Sequence, residues 1–149
     1  IGRDAFYKCT GLTSITVSDN NQYYKSIDGV LFDKNVEIII AYPRGKRSNY
    51  YTIPVSVTSI GDGAFSSCYK LTSIDIPVSV TSIGSDAFSY CSNLTSITIP
   101  DSVTSIGDGA FFDCSSLTNI TINQEEGSIS GSPWGAPKGE SIVKWQGES

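Results

Sequence analysis

The sequence predicts an α/β solenoid, a rod of stacked coils that are nearly identical in sequence. Three units of equal length follow one another without a gap, at 54–76, 77–99 and 100–122, with a period of 23. The first two units are identical at most of their positions. The pattern reaches the start of the chain, because residues 1–17 match residues 60–76 at an offset of 59. A fixed period of this length is typical of proteins in which each unit repeats the structure of its neighbour.

The repeat boundaries divide one predicted domain, 1–149, into four parts. Residues 1–17 are a partial repeat, and residues 18–53 are an elongated repeat, longer than the regular units. Residues 54–122 hold the three regular units, and residues 123–149, where the pattern stops, are expected to form a C-terminal cap. Because the chain opens in mid-repeat, we expect it to be a piece of a longer protein.

Within each unit, alternating apolar residues predict one strand. Leu71, Ile74 and Ile76 follow the spacing L-x-x-L-x-L, which places the two isoleucines on the same face of an extended segment. Stacked units then place identical strands side by side in a parallel sheet. Phe88 and Cys91, three residues apart on the return path, predict one or two turns of helix.

Cysteine and phenylalanine recur at fixed positions and are expected to form two columns inside the rod. The members are Cys9, Cys68, Cys91 and Cys114, and Phe6, Phe65, Phe88 and Phe111. Zinc needs ligands that converge from different directions, which equivalent positions on successive coils do not supply. A disulfide between adjacent coils is within reach in distance, although parallel Cβ vectors make it strained. We expect buried free thiols and a phenylalanine core.

Composition excludes several classes of function. The net charge is −5, and nucleic acids and anionic membranes both attract a surplus of Lys and Arg. No apolar run approaches the roughly 20 residues that span a bilayer. The chain has no His, and no nucleophile and base converge in the repeat, so we predict no enzyme, no catalytic residue, no metal and no cofactor.

The outward-facing strand positions form one candidate binding surface, rich in hydroxyl groups. Its predicted ligand-binding residues are Ser73, Asp75, Ser96, Thr98, Asn119 and Thr121. This surface lacks an aromatic residue that would anchor a partner protein. The alternative is that these side chains are solvated cross-strand pairs.

The elongated repeat is a second candidate surface, since it concentrates tyrosine and basic residues. Asp28-Gly29 predicts a two-residue hairpin within a small antiparallel meander. The predicted ligand-binding residues here are Tyr23, Tyr24, Arg44, Lys46, Arg47, Tyr50 and Tyr51. Tyr and Arg are enriched in binding surfaces, and loops that break a repeat often lie on its functional face. The alternative is that the tyrosines cover core exposed by the interruption.

The tail after residue 122 contains Trp134 and Trp145, which can cover the open end of the rod. We favour this capping role over ligand binding.

The repeated run S-V-T-S-I-G-x-x-A-F-x-x-C-x-x-L-T-S-I-x-I-P resembles the BspA-like, or Treponema-type, leucine-rich repeat. The elongated repeat and the segment Ser132-Pro133-Trp134-Gly135-Ala136 are similar to features that recur in that family. The resemblance implies a right-handed leucine-rich-repeat solenoid, with a concave parallel sheet and short helical turns on the convex side.

The resemblance also implies a secreted bacterial cell-surface protein, without enzymatic activity, that serves adhesion or protein binding. Its partner would be an unknown protein or glycan on a host or neighbouring cell. The alternative is a structural spacer or stalk that presents another domain. Neither the ligand nor the oligomeric state follows from the residues.

Overall fold

The computed structural model describes residues 1–147, so the last two residues of the predicted cap lie outside it. The described residues form a β-solenoid whose coils are short strands joined by turns. The strands are β1 (Tyr24–Ile27), β2 (Val30–Asp33), β3 (Ile38–Ala41), β4 (Tyr50–Thr52), β5 (Ser59–Ile60), β6 (Ser73–Asp75), β7 (Ser82–Ile83), β8 (Ser96–Ile99), β9 (Ser105–Ile106), β10 (Asn119–Ile122) and β11 (Val143–Trp145).

Each coil between residues 31 and 122 contributes one strand to each of two sides of the rod. On the first side, β3, β5, β7 and β9 pair in parallel, with Ser59 opposite Ser82 and Ser82 opposite Ser105. On the second side, β4 pairs in parallel with β6, and β8 with β10 and β10 with β11. The strand predicted around Ile74 recurs in each regular unit, and Ile97 of β8 lies opposite Ile120 of β10, so the predicted stacking of identical strands is confirmed there. The strands β5, β7 and β9 of the first side were not predicted.

The predicted helical turns are wrong. Within residues 1–147 the only helix is a short 3₁₀ segment, Gly139–Ile142, which lies outside the regular units. In the turn of the first regular unit, alternate N–H groups bond across to the next coil, as from Phe65 to the carbonyl of Ala87 at 2.8 Å. The N–H groups between them bond three residues back, as from Ser66 to Gly63 at 3.0 Å. An α-helix needs every N–H for the carbonyl four residues back, so bonding between coils excludes it.

Left-handed backbone accompanies this pattern. Ser67, Tyr90 and Asp113 occupy equivalent positions and have φ of 61°, 60° and 55°. A right-handed helix does not pass through such a residue. We call residues 61–68, 84–91 and 107–114 the turn column.

The core is a continuous stack of aromatic rings with aliphatic side chains around it. The rings of Phe65 and Phe88 are 5.2 Å apart, and those of Phe88 and Phe111 are 5.7 Å apart. The column extends one coil further at each end, to Tyr42 at 5.4 Å from Phe65 and to Trp134 at 6.3 Å from Phe111. Phe6 is only half-buried, so it does not join the column as predicted.

The thiols of Cys68, Cys91 and Cys114 are free and buried, as predicted. Cys91 Sγ donates a hydrogen bond to the carbonyl oxygen of Phe65 at 3.1 Å, and Cys114 Sγ donates to that of Phe88 at 3.0 Å. Each of these two thiols therefore links its coil to the one before. Cys9 is exposed, which corrects its placement in the column.

The elongated repeat consists of an antiparallel meander followed by a coil. β1 and β2 form the predicted hairpin at Asp28-Gly29, where both residues have positive φ, and β2 pairs antiparallel with β3. Residues 31–53 then make one coil, since Tyr42 packs against Phe65 and Tyr51 lies opposite Ile74, each one repeat period further on.

The two ends of the chain differ in how they meet the stack. Residues 123–145 make a last coil although the sequence pattern stops, because Val143 lies opposite Ile120 and Trp145 opposite Ile122. Residues 1–17 form no strand. They contact the rod through isolated hydrogen bonds, such as the one that the N–H of Gly45 donates to the carbonyl of Leu12 at 2.7 Å.

Candidate functional site

The outward positions of the second side come together as one surface, which we call the ribbon. Register places Tyr50 opposite Ser73, Thr52 opposite Asp75, and both Ser96 and Thr98 opposite their β10 partners. The ribbon consists of Tyr50, Thr52, Ser73, Asp75, Ser96, Thr98, Asn119 and Thr121. Most of these side chains are exposed, whereas Ser73 and Thr121 are half-buried.

Tyr50 joins the two candidate surfaces that the sequence presents separately. Its side chain is 46% exposed, and its hydroxyl donates a hydrogen bond to the Asp75 carboxylate of the ribbon. The Thr52 hydroxyl donates to the Tyr50 oxygen at 3.0 Å. These bonds hold an exposed aromatic ring in one orientation, which lowers the entropy that binding would otherwise have to remove.

A groove with a volume of about 380 Å³ runs along the ribbon beside Tyr50's partner strand. Ser73, Asp75, Ser96 and Thr98 line it, together with Asn123 from the last coil. The exposed Val78, just after the β6 strand, adds an apolar contact. The groove therefore offers hydrogen-bonding groups beside an apolar wall.

The other tyrosines of the elongated repeat lie elsewhere. Tyr51 is half-buried, with its ring 4.9 Å from that of Tyr42, and burial raises its pKa well above the ordinary value. It covers the core, which agrees with the alternative interpretation of the tyrosines. Tyr23 precedes β1 and Tyr24 begins it, so both belong to the meander on the first side, not to the ribbon.

Arg44 is structural, because it is only 3% exposed. Its Nη1 donates to the carbonyls of Tyr42 and Ala64 at 2.8 and 2.9 Å, and Nη2 donates to that of Gly63 at 2.7 Å. Within the described part of the chain, no carboxylate forms an ion pair with it. The sequence places Arg44 on a binding surface, whereas in the structure it ties the coil 31–53 to the next.

The two neighbouring cations differ from Arg44 and from each other. Lys46 Nζ donates to the carbonyl of Asp28 at 2.8 Å and lies 3.6 Å from its carboxylate, which fixes the hairpin against the coil. Arg47 is exposed.

The buried thiols are poor nucleophiles in this environment. Burial raises the pKa of Cys68 to about 12, although the Arg44 guanidinium lowers it, and burial raises the pKa of Cys114 to about 12. Because the thiolate is the reactive form, both groups are inert at neutral pH. Among residues 1–147, no three His, Cys, Asp or Glu side chains gather in a way that would hold a metal ion.

Thr52, Val78 and Asn123 belong to this site but are not among the predicted residues. Thr52 was detectable from the sequence, because it lies one repeat period before Asp75. Asn123 follows the last regular unit, and only the structure shows that the next coil continues past it.

Comparison with known proteins identifies the family of this fold. A model of the BspA type leucine rich repeat region matches residues 1–50 and 41–134, with six copies. The chain belongs to the BspA-type leucine-rich repeat family. This confirms the resemblance that the repeated run indicates. No curated protein matches the chain.

Solved structures of bacterial proteins share the BspA-type fold. A leucine-rich repeat protein from Eubacterium ventriosum is 31% identical over 95% of this chain, with a TM-score of 0.82, and the chain spans 37% of its length. One from Bacteroides capillosus is 25% identical, with a TM-score of 0.70, over 85% of this chain and 100% of its own. The pneumococcal vaccine antigen PcpA shares the fold at 24% identity and a TM-score of 0.61, over 75% of this chain and 33% of its own. Within residues 1–147, no helix is long and apolar enough to cross a bilayer.

Proposed function

We propose that this segment is a non-enzymatic interaction module of the cell surface, which binds a protein through the ribbon and Tyr50. The observation that carries the proposal is the hydrogen bond from Tyr50 to Asp75. It supplies the ribbon with the exposed aromatic anchor that the repeat alone lacks. Tyrosine is among the residues that most often dominate binding energy at protein interfaces.

The backbone beneath the ribbon favours binding without rearrangement. Threonine hydroxyls beside it bond to the coil before, from Thr95 to the carbonyl of Thr72 at 3.4 Å and from Thr118 to that of Thr95 at 3.2 Å. A surface that is already ordered loses little conformational entropy when a partner docks. Location at the cell surface is part of the proposal and is supported by the family.

The test is binding of purified protein to a panel of immobilised extracellular-matrix and cell-surface proteins, measured by biolayer interferometry. We expect at least one specific partner whose affinity falls about tenfold or more in Tyr50→Ala. Asp75→Asn should weaken binding less, because it weakens the hydrogen bond that orients the Tyr50 ring but leaves the ring itself in the ribbon.

Tyr23→Ala is the matched control, since Tyr23 is an exposed tyrosine of the same elongated repeat that lies outside the ribbon. Equal losses in Tyr50→Ala and Tyr23→Ala would contradict a ribbon site. Absence of any specific partner would instead support the alternative, a spacer that presents another domain.

A further inference from the structure

Three exposed aromatic side chains line one cavity beside the turn column, away from the ribbon. Tyr7, Tyr90 and Phe112 are 49%, 40% and 49% exposed, and all three line a cavity of about 250 Å³. The rings of Tyr90 and Phe112 are 5.6 Å apart, edge to face. None of the three belongs to the core column.

Two of these aromatics replace a serine of the preceding regular coil. Phe112 stands where the preceding coils have Ser66 and Ser89, and Tyr90 stands where the coil before it has Ser67. Tyr7 repeats Ser66 at the offset of 59. Serine satisfies the fold at the equivalent positions of the regular coils, so packing there does not require the rings of Tyr90 and Phe112. Exposed aromatic clusters of this kind mark binding sites.

The polar groups of the cavity contact one another through an ion pair and a hydrogen bond. Arg3 and Asp86 form an ion pair of 2.7 Å at its wall. Ser66 and Ser89 are buried with their hydroxyl oxygens 3.0 Å apart, and the buried Arg44 also contributes to the lining. The charged lining residues are Arg3, Arg44, Asp4 and Asp86, so the cavity has no net charge.

We propose that this cavity binds one neutral sugar ring of a glycan. The C–H bonds of a pyranose carry partial positive charge, which suits the negative face of an aromatic ring. Its hydroxyls both donate and accept, which suits a carboxylate, a guanidinium and serine hydroxyls together. A volume of about 250 Å³ fits one ring and is below the roughly 300–1,000 Å³ of sites for drug-sized ligands.

The balance of charge separates this ligand from the alternatives. A cation or a carboxylate would meet two arginines and two aspartates together, so neither gains a net attraction that would offset the loss of its hydration. A neutral ring does not incur this loss. The site lies on a different side of the coil from the ribbon, so it does not depend on the proposed protein interaction.

The experiment measures saturation-transfer NMR and calorimetric affinity with methyl glycosides of neutral hexoses and N-acetylhexosamines. Uronic acid glycosides, choline and a lysine peptide are parallel probes. We expect at least one neutral glycoside to receive saturation, most strongly at its ring C–H protons, and to shift the backbone amides of Ser89 and Tyr90.

Tyr90→Ser and Phe112→Ser are the decisive variants, because both place the repeat's own residue at its own position. Ser67 has nearly the φ of Tyr90, 61° against 60°, so the backbone already accommodates serine there. We expect each variant to keep the wild-type melting temperature and to lower affinity about tenfold or more. Tyr23→Ser and Tyr50→Ala should bind the glycoside as the wild type does.

Three results would overturn the proposal. They are no saturation transfer to any neutral glycoside, unchanged affinity in the two serine variants, and binding of only the acidic or cationic probes. If a variant melts early, the amide shifts of the wild-type protein decide the matter. Shifts confined to the ribbon would exclude the turn column.

Discussion

The regular coils and the coil 31–53 build the same core from different residues. In the regular coils, Phe65, Phe88 and Phe111 stack with interplanar angles of 10° and 6°. The ring of Tyr42 meets Phe65 at 32°, and Gly45 and Ser48 stand where the next coil has Cys68 and Leu71. Neighbouring coils with the same residues therefore stack their rings nearly parallel. Where the coil 31–53 has other residues, other contacts join it to the next coil.

Those other contacts are polar and depend on single residues. The coil 31–53 lacks the thiol and the leucine of the regular coils, and there Arg44 bonds to three carbonyls. In the regular region the stabilising contacts are thus spread over equivalent positions in every coil. In the elongated region they depend on one residue, Arg44.

The largest effect is expected from breaking the aromatic stack of the regular region. Phe88→Ala removes a ring with an aromatic neighbour on each side and should lower the free energy of unfolding by about 3–5 kcal/mol. Urea denaturation followed by circular dichroism measures it. Phe112→Ala is the control, because that ring is exposed and its loss should change stability by only about 0.5 kcal/mol. Similar losses in both variants would show that the stack does not carry the core.

The next largest effect is expected from removing the hydrogen bonds of Arg44 in the elongated region. Arg44→Met leaves the carbonyls of Tyr42, Gly63 and Ala64 without this donor and should lower the free energy of unfolding by about 2–4 kcal/mol. The same denaturation experiment applies, with the exposed Arg47→Met as control. A stability equal to the wild type would mean that the guanidinium is not needed to join these coils.

Alkaline pH should weaken the regular region through its thiols. Burial raises the pKa of Cys68 and Cys114 to about 12 and that of Cys91 well above its usual value. The folded state then keeps protons that the unfolded state loses from about pH 9, so stability is intact below pH 9 and falls as pH rises toward 12. Urea midpoints between pH 7 and 11 measure the fall. Cys91→Ala should show a shallower decline, and an unchanged decline would assign the effect to other groups.

The smallest effect is expected from a substitution that makes the coil 31–53 more like the regular coils. The Tyr42 hydroxyl is buried and has no hydrogen-bond partner among residues 1–147, and burial raises its pKa to about 12. Tyr42→Phe places the regular residue in the column and should raise the free energy of unfolding by about 1 kcal/mol at pH 7. It should also reduce the loss of stability above pH 10. Thermal melting at pH 7 and 10.5 tests both, with Tyr50→Phe as the exposed control.

Periodicity alone was sufficient to predict the stack, because residues one period apart meet whenever coils superpose. Cys68, Cys91 and Cys114 and the strands around Ile74 therefore lie where the sequence places them. The true form of the turns was not predictable from the spacing of Phe88 and Cys91. A spacing of three reports which side chains face inward, but not whether the N–H groups between them bond within the coil or across to the next.

The candidate site was predicted in part for a similar reason. The outward positions of the ribbon follow from strand alternation, whereas the burial of Arg44 depends on carbonyls 19 and 20 residues away in sequence. Composition marks a cluster of Tyr and Arg as a binding surface. It cannot separate Tyr50, which faces outward, from Tyr51, which faces the core.

The bonding between coils has a consequence for how such a chain changes length. Each kind of bond between regular coils recurs at its own fixed separation in sequence, as from Phe65 to Ala87 and from Phe88 to Ala110, and from each thiol to the carbonyl 26 residues before it. Excision of residues 77–99 would join Ile76 to Pro100, the same Ile-Pro junction that the chain already contains, and the backbone donors of the turns would meet equivalent acceptors. Within the regular units, a cut of any other length would misalign the later columns. We therefore expect these units to tolerate insertions and deletions in whole-coil steps, so that gene duplication can lengthen the rod without new core contacts having to evolve.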